Sequence, residues 1–232
     1  MWAIVVAGGT GRRFGGFKQF LPLAGVPVAS WSIRAAHTVA DGVVLVVPSD
    51  ASPGSDQSVA DDGGLPAPGA TGDAAFGATT VVAGGDTRAA SVRAGLAAVP
   101  GDVGIIVIHD AARPLASPEL FASVVAAVRS GDAAGVIPVV PVSDTLKRVE
   151  DGIVVVGTVD RDGLVAVQTP QAFVAEALRS AHRDGGEATD DAGLLEAAGL
   201  PIATVEGDPR NLKLTRPEDL VLAEALMSGA SR

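Results

Sequence analysis

Five short runs of branched apolar residues, each bounded by Gly, Pro or Asp, constrain the fold of this 232-residue chain more than any other feature. They cover residues 3–6, 43–47, 80–82, 105–108 and 135–139. Their apolarity is nearly continuous, which is typical of strands covered on both faces in a mainly parallel sheet. Helix-compatible segments follow at residues 27–39, 88–99, 118–130, 170–182 and 217–227. This alternation predicts an α/β domain of three layers.

The composition excludes several classes of protein. Apolar residues make up 47% of the chain, and 17 basic and 27 acidic residues give a formal net charge of −10, as in a foldable globular domain. The acidity argues against nucleic acid as the main partner, because binding backbone phosphates needs a surplus of Lys and Arg. The absence of cysteine excludes disulfide and thiolate sites and fits a reducing compartment. No run approaches the roughly 18 apolar residues of a membrane span, so we expect a cytoplasmic protein of one domain without a membrane partner.

Two segments interrupt the alternation of strands and helices. Residues 49–78 are rich in Gly, Pro, Ser, Asp and Ala, so we expect a mobile surface loop, with a linker between domains as the alternative. Residues 146–159 contain two apolar strands around Asp151-Gly152, a preferred dipeptide of tight hairpin turns. This hairpin, within residues 143–163, is either an ordinary edge hairpin or an arm that packs on a second subunit.

The first apolar run leads into a glycine-rich loop that carries three cations. Its sequence is Ala7-Gly8-Gly9-Thr10-Gly11-Arg12-Arg13-Phe14-Gly15-Gly16-Phe17-Lys18. Glycines after a buried strand let backbone N–H groups approach a ligand closely, and α/β sheets bind ligands at the carboxyl ends of their strands. Arg12, Arg13 and Lys18 would repel one another without an anion. The loop therefore predicts a phosphate site, with a flexible turn as the alternative.

Spacing excludes the two most familiar phosphate loops. A dinucleotide fingerprint needs a third glycine where Phe14 stands, and a P-loop needs Gly-Lys-Ser or Gly-Lys-Thr, whereas Lys18 lies between Phe17 and Gln19. An oxidoreductase or a kinase therefore loses its main support. The pattern that remains, Gly-x-Gly-Arg-Arg-Phe followed by Lys-Gln-Phe-Leu, resembles the signature loop of nucleotidyltransferases that join a sugar or polyol phosphate to a nucleotide.

Further motifs along the chain narrow this resemblance. They are Gly84-Gly85-Asp86-Thr87-Arg88-Ala89-Ala90-Ser91-Val92, His109-Asp110-Ala111-Ala112-Arg113-Pro114, Asp144-Thr145-Leu146-Lys147, Thr158-Val159-Asp160-Arg161, Thr169-Pro170-Gln171, Thr189-Asp190-Asp191 and Asn211-Leu212-Lys213-Leu214-Thr215-Arg216-Pro217-Glu218-Asp219. With the glycine loop, this ordered set closely resembles the 2-C-methyl-D-erythritol 4-phosphate cytidylyltransferase family of the non-mevalonate isoprenoid pathway. One departure is Phe17, which stands where the family has Pro.

The resemblance implies a fold, a reaction and a partner. The fold is a three-layer, Rossmann-like nucleotidyltransferase domain with a mainly parallel sheet and a protruding β-hairpin dimerisation arm. The reaction transfers CMP from CTP to the polyol phosphate 2-C-methyl-D-erythritol 4-phosphate and releases pyrophosphate, with Mg²⁺ or another divalent cation as cofactor. The implied partner is a second copy of the chain, so that Thr145 and Arg161 act in the neighbouring subunit's pocket.

The resemblance also implies roles for individual residues. Catalytic roles fall on Arg13, Lys18, Asp110 and Lys213, with Asp110 also near the metal. Nucleotide binding falls on Ala7, Gly8, Gly9, Thr10, Gly11, Arg12, Gly85, Asp86 and Ser91. Binding of the polyol phosphate falls on Asp110, Arg113, Thr145, Arg161, Thr169 and Lys213.

Simpler interpretations of these residues and of the function stay open. Arg13 and Lys18 are alternatively solvated surface cations, and Gly84-Gly85-Asp86 is alternatively a plain turn before a helix. Asp110 is alternatively a helix cap, with Arg113 in a buried ion pair. The alternative functions are a cytidylyltransferase acting on ribitol 5-phosphate and a non-catalytic nucleotide-binding regulator.

Overall fold

The computed structural model describes residues 1–8, 14, 17–49, 69–70, 72–183, 186 and 188–229. Its strands are β1 (Trp2–Val6), β2 (Pro22–Leu23), β3 (Val26–Pro27), β4 (Gly42–Val47), β5 (Thr80–Ala83), β6 (Ile105–Asp110), β7 (Gly135–Pro141), β8 (Leu146–Glu150), β9 (Val154–Val159), β10 (Val165–Val167), β11 (Gln171–Val174) and β12 (Ile202–Glu206). Its α-helices are α1 (Val28–Ala36), α2 (Arg88–Ala98), α3 (Pro118–Arg129), α4 (Ala175–Arg183), α5 (Asp191–Ala197) and α6 (Pro217–Gly229). Short 3₁₀ helices cover Lys18–Phe20 and Gly72–Ala75.

The five predicted strands all lie in one sheet. Among the described residues this sheet has eight strands in the order β10-β7-β11-β6-β1-β4-β5, with β12 also paired to β7. The pairings of β6 with β1, β1 with β4, β4 with β5 and β12 with β7 are parallel. In contrast, β10 and β11 run antiparallel to their neighbours. The prediction of a mainly parallel sheet is confirmed.

The core lies on both faces of this sheet. Along β1, Ala3 and Val5 pack in one apolar cluster with α1 and α3, while Ile4 packs in a second cluster with α2, α4 and α5. Successive side chains of a strand point to opposite faces, so a strand that feeds two clusters must be apolar throughout. The predicted three-layer α/β architecture is therefore confirmed.

Local sequence explains where the helices next to the sheet begin. Thr87 caps α2 by accepting a hydrogen bond from the backbone N–H of Ala90 at 3.0 Å. Ser117 caps α3 in the same way, and Pro118 follows it at a position where the missing N–H costs no hydrogen bond. The cap at Thr87 sets the direction in which α2 leaves the edge of the sheet.

The prediction of a helix over residues 170–182 is wrong at its start. Residues 171–174 form β11, and α4 begins only at Ala175. Ala172 and Phe173 are fully buried, and β11 pairs with both β6 and β7. Pairing with distant strands therefore decides the structure here, and the proline before the segment is not the first residue of a helix.

The predicted hairpin is confirmed as the pair β8 and β9. Asp151 and Gly152 both adopt positive φ angles, 51° and 75°, which this kind of tight turn requires. In the described part of the chain, β8 and β9 form a separate two-stranded sheet. Its apolar side chains are exposed, and Ile153 at the tip reaches 84% exposure. The hairpin is thus an arm with an uncovered apolar surface.

The long segment predicted as a mobile loop is described only in part. Residues 50–68 and residue 71 lie outside the described residues. At its end, Ala75 and Ala78 are buried in the core, so residues 75–78 are part of the packed structure and not of a loose loop. The assignment of the whole chain to one domain stays a prediction. No helix among the described residues is both long and apolar enough to cross a bilayer.

Candidate active site

A cavity of about 530 Å³ opens beside the carboxyl ends of β1, β5 and β6. The predicted site residues that line it are Ala7, Gly8, Lys18, Gly85, Asp86, Ser91, Asp110 and Lys213. These residues come from five separate segments of the chain. The structure therefore brings all the described residues of the predicted nucleotide site and part of the predicted acceptor site into one cavity.

Backbone hydrogen bonds hold the strand ends that form the cavity floor. The N–H of Ala7 donates to Val46 at 2.8 Å, and the N–H of Ala111 donates to Val6 at 3.0 Å. The N–H of Gly84 donates to Val47 at 2.7 Å. These bonds tie each strand end to its neighbour, so the residues that follow the strands start from fixed positions.

Ser91 approaches the backbone closely at Gly84 and, less tightly, at Gly8. A Cβ atom on Gly84 would lie 2.6 Å from Ser91 Oγ, and one on Gly8 would lie 3.0 Å from the same atom. Ser91 is 2% exposed, and its hydroxyl lies 3.3 Å from the backbone N–H of Gly85. This wall of the cavity therefore consists of backbone and one hydroxyl, groups that suit the edge of a base.

Lys18, which follows the glycine loop in the sequence, also lines the cavity. Its Nζ lies 5.9 Å from the centroid of the Phe14 ring. The side chain of the next residue, Gln19, is buried and donates to the carbonyl of Ala7 at 2.6 Å, which fastens the loop to the end of β1. The remaining predicted loop residues lie outside the described residues and stay predictions: Gly9, Thr10, Gly11, Arg12 and Arg13.

Asp110 lies at the end of β6 between two cations. Its Oδ2 is 2.6 Å from Lys213 Nζ, and its Oδ1 is 3.5 Å from Arg88 Nε. Burial alone would raise the pKa of this carboxyl, but Lys213, Arg88 and Arg113 outweigh burial and hold the pKa well below its usual value. The cavity thus contains a carboxylate that stays ionised at neutral pH.

Two buried residues support Asp110 from behind. The hydroxyl of Thr169 accepts from the backbone N–H of Asp110 at 3.0 Å and lies 3.0 Å from Nδ1 of His109. Burial lowers the pKa of His109 to about 4, with Asp110 opposing this effect, so the imidazole is neutral at pH 7. Thr169, a predicted substrate residue, therefore lies beneath the cavity and not among its lining residues.

Arg113 is likewise turned towards the protein. Its Nη1 donates to the carbonyl of Asn211 at 2.7 Å, and burial lowers the pKa of the guanidinium although Asp110 opposes this. Asn211 also donates from its side chain to the carbonyl of Thr169 at 2.9 Å. These bonds hold the segment that carries Lys213 against the end of β6. Arg113 therefore orders this wall and is not among the described residues that line the cavity.

Thr145 and Arg161, also predicted for the polyol phosphate, flank the arm and are exposed. Arg161 donates from Nη1 to the backbone carbonyl of Ser143. Neither residue belongs to the described lining of the cavity in its own chain. The structure thus separates these two residues from the rest of the predicted site.

Sequence reasoning assigned no functional role to four polar residues that line the cavity: Gln19, Thr87, Arg88 and Thr215. Arg88 is the most informative of them because it contacts Asp110. The signal that points to it is its place directly after the capped turn that follows β5. Thr215 has its backbone N–H and its hydroxyl held by Asp219 at the start of α6, at 2.6 and 2.9 Å.

The donor set suits a metal that is held mainly by its substrate. No cluster of three or more His, Cys, Asp or Glu side chains occurs among the described residues, and Asp86 and Asp110 are the acidic residues in the described lining. Mg²⁺ commonly binds one or two carboxylates together with substrate phosphates and water. The residues present therefore fit Mg²⁺ that is bound mainly by the phosphates of a nucleoside triphosphate.

Comparison with known proteins shows which family the chain is similar to. The IspD family model, described as 2-C-methyl-D-erythritol 4-phosphate cytidylyltransferase, matches residues 1–229. A relative of that name from Cereibacter sphaeroides is 45% identical over 99% of this chain and 97% of its own length. The chain is 42% identical to a bifunctional IspD/IspF enzyme from Nitratidesulfovibrio vulgaris and spans 57% of the length of that relative.

A solved structure extends the agreement to three dimensions. The 2-C-methyl-D-erythritol 4-phosphate cytidylyltransferase of Thermus thermophilus superposes with a TM-score of 0.74, at 34% identity over 98% of both chains. The fold shared with this structure, the match of the family model and the motifs around the cavity all point to the same family. The chain therefore belongs to the 2-C-methyl-D-erythritol 4-phosphate cytidylyltransferase family.

Proposed function

We propose that this protein transfers CMP from CTP to 2-C-methyl-D-erythritol 4-phosphate, releasing pyrophosphate and forming 4-diphosphocytidyl-2-C-methyl-D-erythritol for isoprenoid biosynthesis. The observation that carries the proposal is the convergence of glycine backbone, Lys18 and Lys213 on one cavity at the strand ends. Its volume of about 530 Å³ lies in the range of small-molecule sites. Family membership narrows the two anionic ligands to CTP and a polyol phosphate.

The chemistry requires no nucleophile from the protein. An oxygen of the acceptor phosphate forms a bond to the α-phosphorus of CTP, the bond from that phosphorus to the bridging oxygen breaks, and pyrophosphate leaves with the electron pair. Such transfers leave the protein to position the reactants and to stabilise charge. Lys18 and Lys213, which both line the cavity, perform this work, and Arg13 of the loop is assigned to the same task.

Asp110 orients the reactants as an ionised group. Its carboxylate accepts hydrogen bonds from substrate hydroxyls and provides a protein oxygen for a divalent cation. We propose Mg²⁺ as the cofactor. Asp110 and triphosphate oxygens would hold it, and it would neutralise part of the triphosphate charge. Thr169, whose hydroxyl also contacts His109, holds the backbone of Asp110.

The cytosine base is assigned to the wall formed by Ala7, Gly8, Gly85, Asp86 and Ser91. Backbone N–H and C=O groups there read the exocyclic amine and carbonyl of cytosine. A Cβ atom on Gly84 would lie 2.6 Å from Ser91 Oγ, so a side chain at this position would narrow the space for the base.

The arm is assigned to a homodimer. Its apolar side chains are exposed along β8 and β9, including Val154 at 53% and Val155 at 59%. Exposed apolar surface of this kind marks an interaction site, and a second copy of the chain would cover it. Thr145 and Arg161 then complete the partner's cavity for the polyol phosphate. We assign the activity to the cytoplasm, which suits a chain without cysteine.

Pyrophosphate release tests the reaction. Purified protein with Mg²⁺ is assayed with CTP, ATP, GTP and UTP, each with 2-C-methyl-D-erythritol 4-phosphate and with ribitol 5-phosphate. Release only with CTP and the methylerythritol phosphate supports the proposal. Release with ribitol 5-phosphate instead would reassign the acceptor, and CTP binding without any release would favour a regulator.

An exposed arginine away from the arm provides the control for the catalytic role of Lys18. Lys18→Ala should lower kcat by about 10²–10³-fold, because it removes a cation that stabilises developing charge. Arg129→Ala, at the exposed end of α3, should leave kcat close to that of the unaltered protein. Equal kcat values for Lys18→Ala and Arg129→Ala would contradict the role of Lys18.

Mixing of subunits tests the shared site. Lys18→Ala and Arg161→Ala homodimers should each be nearly inactive, because every cavity lacks one group. A mixed dimer contains one cavity with both groups intact, so activity should partly return after mixing and subunit exchange. No recovery in a verified mixed dimer, or full activity of a sedimenting monomer, would contradict the arrangement.

A further inference from the structure

A chain of ion pairs leads from the cavity wall to α5. Nε of Arg88 lies 3.5 Å from Asp110, and its Nη1 donates to Oδ2 of Asp191 at 2.8 Å. The other oxygen of Asp191 accepts from Nε2 of His182 at 3.0 Å. The Asp191 side chain is 1% exposed, whereas that of Arg88 keeps 25% exposure and lines the cavity. The proposed reaction gives no role to the motif Thr189-Asp190-Asp191.

The geometry makes Asp191 the anchor of Arg88. A guanidinium is a planar fork, so contacts with two carboxylates fix its orientation more strongly than one contact does. The contact with Asp191 is the shorter of the two, and its carboxylate is buried and immobilised by His182. Burial would lower the pKa of Arg88, but Asp191 and Asp110 outweigh burial and raise it.

A purely structural role explains this arrangement poorly. Replacing a buried ion pair by apolar residues is often neutral or stabilising, because desolvation offsets the attraction between the charges. Here the cation is also the partly exposed member, and it faces the carboxylate of the site. The buried pair of Asp191 and His182 therefore serves to orient one group at the cavity wall.

We propose that Asp191, supported by His182, is a positioning residue that holds Arg88 against Asp110, so that the Asp110 carboxylate is fixed between Arg88 and Lys213. Its catalytic consequence rests on the proposed function. Without Asp191, Arg88 keeps only the longer contact and its side chain gains rotamers. Asp110 then loses one of the two cations that fix its orientation, and the reactants are held less accurately.

Kinetics of matched variants test the catalytic consequence. Asp191→Asn should lower kcat by about 10–100-fold, because small misplacements of reacting groups cost this much. Arg88→Lys should have a similar effect, since an ammonium lacks the planar fork that fixes the orientation of Arg88 between two carboxylates. The KM for CTP should change by less than about threefold in both, because transition-state interactions are lost more than ground-state binding.

The adjacent Asp190 provides the control. It caps α5 by accepting from the N–H of Gly193 at 3.0 Å and binds Gln171, but it forms no hydrogen bond to Arg88. Asn is also a good N-cap, so Asp190→Asn should fold and keep kcat within about twofold. Equal losses in Asp190→Asn and Asp191→Asn would overturn the proposal. If Asp191→Asn does not fold, an unchanged kcat in Arg88→Lys would overturn it.

An NMR measurement separates this inference from the proposed function. In protein labelled with ¹⁵N-arginine, the Nε–Hε signal of Arg88 is assigned by its loss in Arg88→Lys. Its order parameter should be about 0.8 or higher in the unaltered protein, fall in Asp191→Asn and stay high in Asp190→Asn. Unchanged order in Asp191→Asn would overturn the positioning role whatever the turnover. Absence of pyrophosphate release by the unaltered protein would instead remove the proposed function and leave this result standing.

Discussion

The ion pair between Lys213 and Asp110 permits a quantitative prediction of stability. Lys213→Met removes the ammonium group and keeps most of the apolar stem. The interaction that is lost is the 2.6 Å contact between Lys213 Nζ and the Asp110 carboxylate. A hydrogen bond to a charged group contributes about 1.5–3 kcal/mol to the free energy of unfolding. Two features reduce this value: the Lys213 side chain is 43% exposed, and Arg88 remains 3.5 Å from the same carboxylate. We expect a loss of about 1–2 kcal/mol after this screening.

Thermal unfolding without nucleotide or divalent cation measures this loss. For a chain of this size, each kcal/mol lowers Tm by about 2–4 °C, so Lys213→Met should unfold about 2–8 °C below the unaltered protein. Lys147→Met is the matched control, because its Nζ bonds only the hydroxyl of Thr158 on the exposed arm, as far as the described hydrogen bonds extend. The control should stay within about 0.5 kcal/mol. If both variants unfold at the temperature of the unaltered protein, the pair contributes nothing and Asp110 is held by other groups.

Three further predictions concern the packing, the acid stability and the support of the site. Gly95→Ala should destabilise the protein by about 1–3 kcal/mol in urea unfolding, because the added Cβ would lie 2.6 Å from a β1 side chain. Gly101→Ala is the control: its Cβ would meet no atom within 4 Å, so it should not destabilise the protein. Asp219→Asn should lower stability at pH 7. Burial opposes ionisation of Asp219, but N–H donors before α6 outweigh it and depress its pKa, so the advantage of the carboxylate is present above about pH 4 and disappears on acidification. Thr169→Val should cost about 1–3 kcal/mol and lower kcat by leaving the N–H of Asp110 without its acceptor, and Thr169→Ser should restore both.

The sequence was sufficient to predict the features that depend on local patterns. Continuous apolar runs identified the five strands, because only strands covered on both faces need such runs. The ends of these strands then located the cavity, since ligands bind where parallel strands end. Asp110 lies in the lining of this cavity because it comes directly after the buried strand of residues 105–108. The turn at Asp151 and Gly152 was predictable because its dipeptide matches the positive φ angles that the turn requires.

Features set by distant contacts could not be predicted in this way. β11 is short and follows a proline, so its pattern resembles the first turn of a helix, and only its pairing with β6 and β7 makes it a strand. Two ion pairs of the site, Arg88–Asp191 and Lys213–Asp110, each join residues 103 positions apart. A single sequence does not show which charged side chains come into contact across such distances. The same limit explains why the contact between Arg113 and the carbonyl of Asn211, 98 positions away, could not be predicted, and the role of Arg113 toward the polyol phosphate stays a prediction.

The overall charge of the chain opposes its proposed substrates, and the placement of its cations resolves this conflict. A formal net charge of −10 would repel two phosphate-bearing ligands if charges acted at long range. At physiological salt the Debye length is about 8 Å, so most surface carboxylates are screened from a ligand in the cavity. Lys18, Arg88 and Lys213 line the same cavity and act at short range in a partly desolvated space, where screening is weak. Local placement of few cations therefore suffices for anion binding, and their orientation by buried partners such as Asp191 matters more than their number.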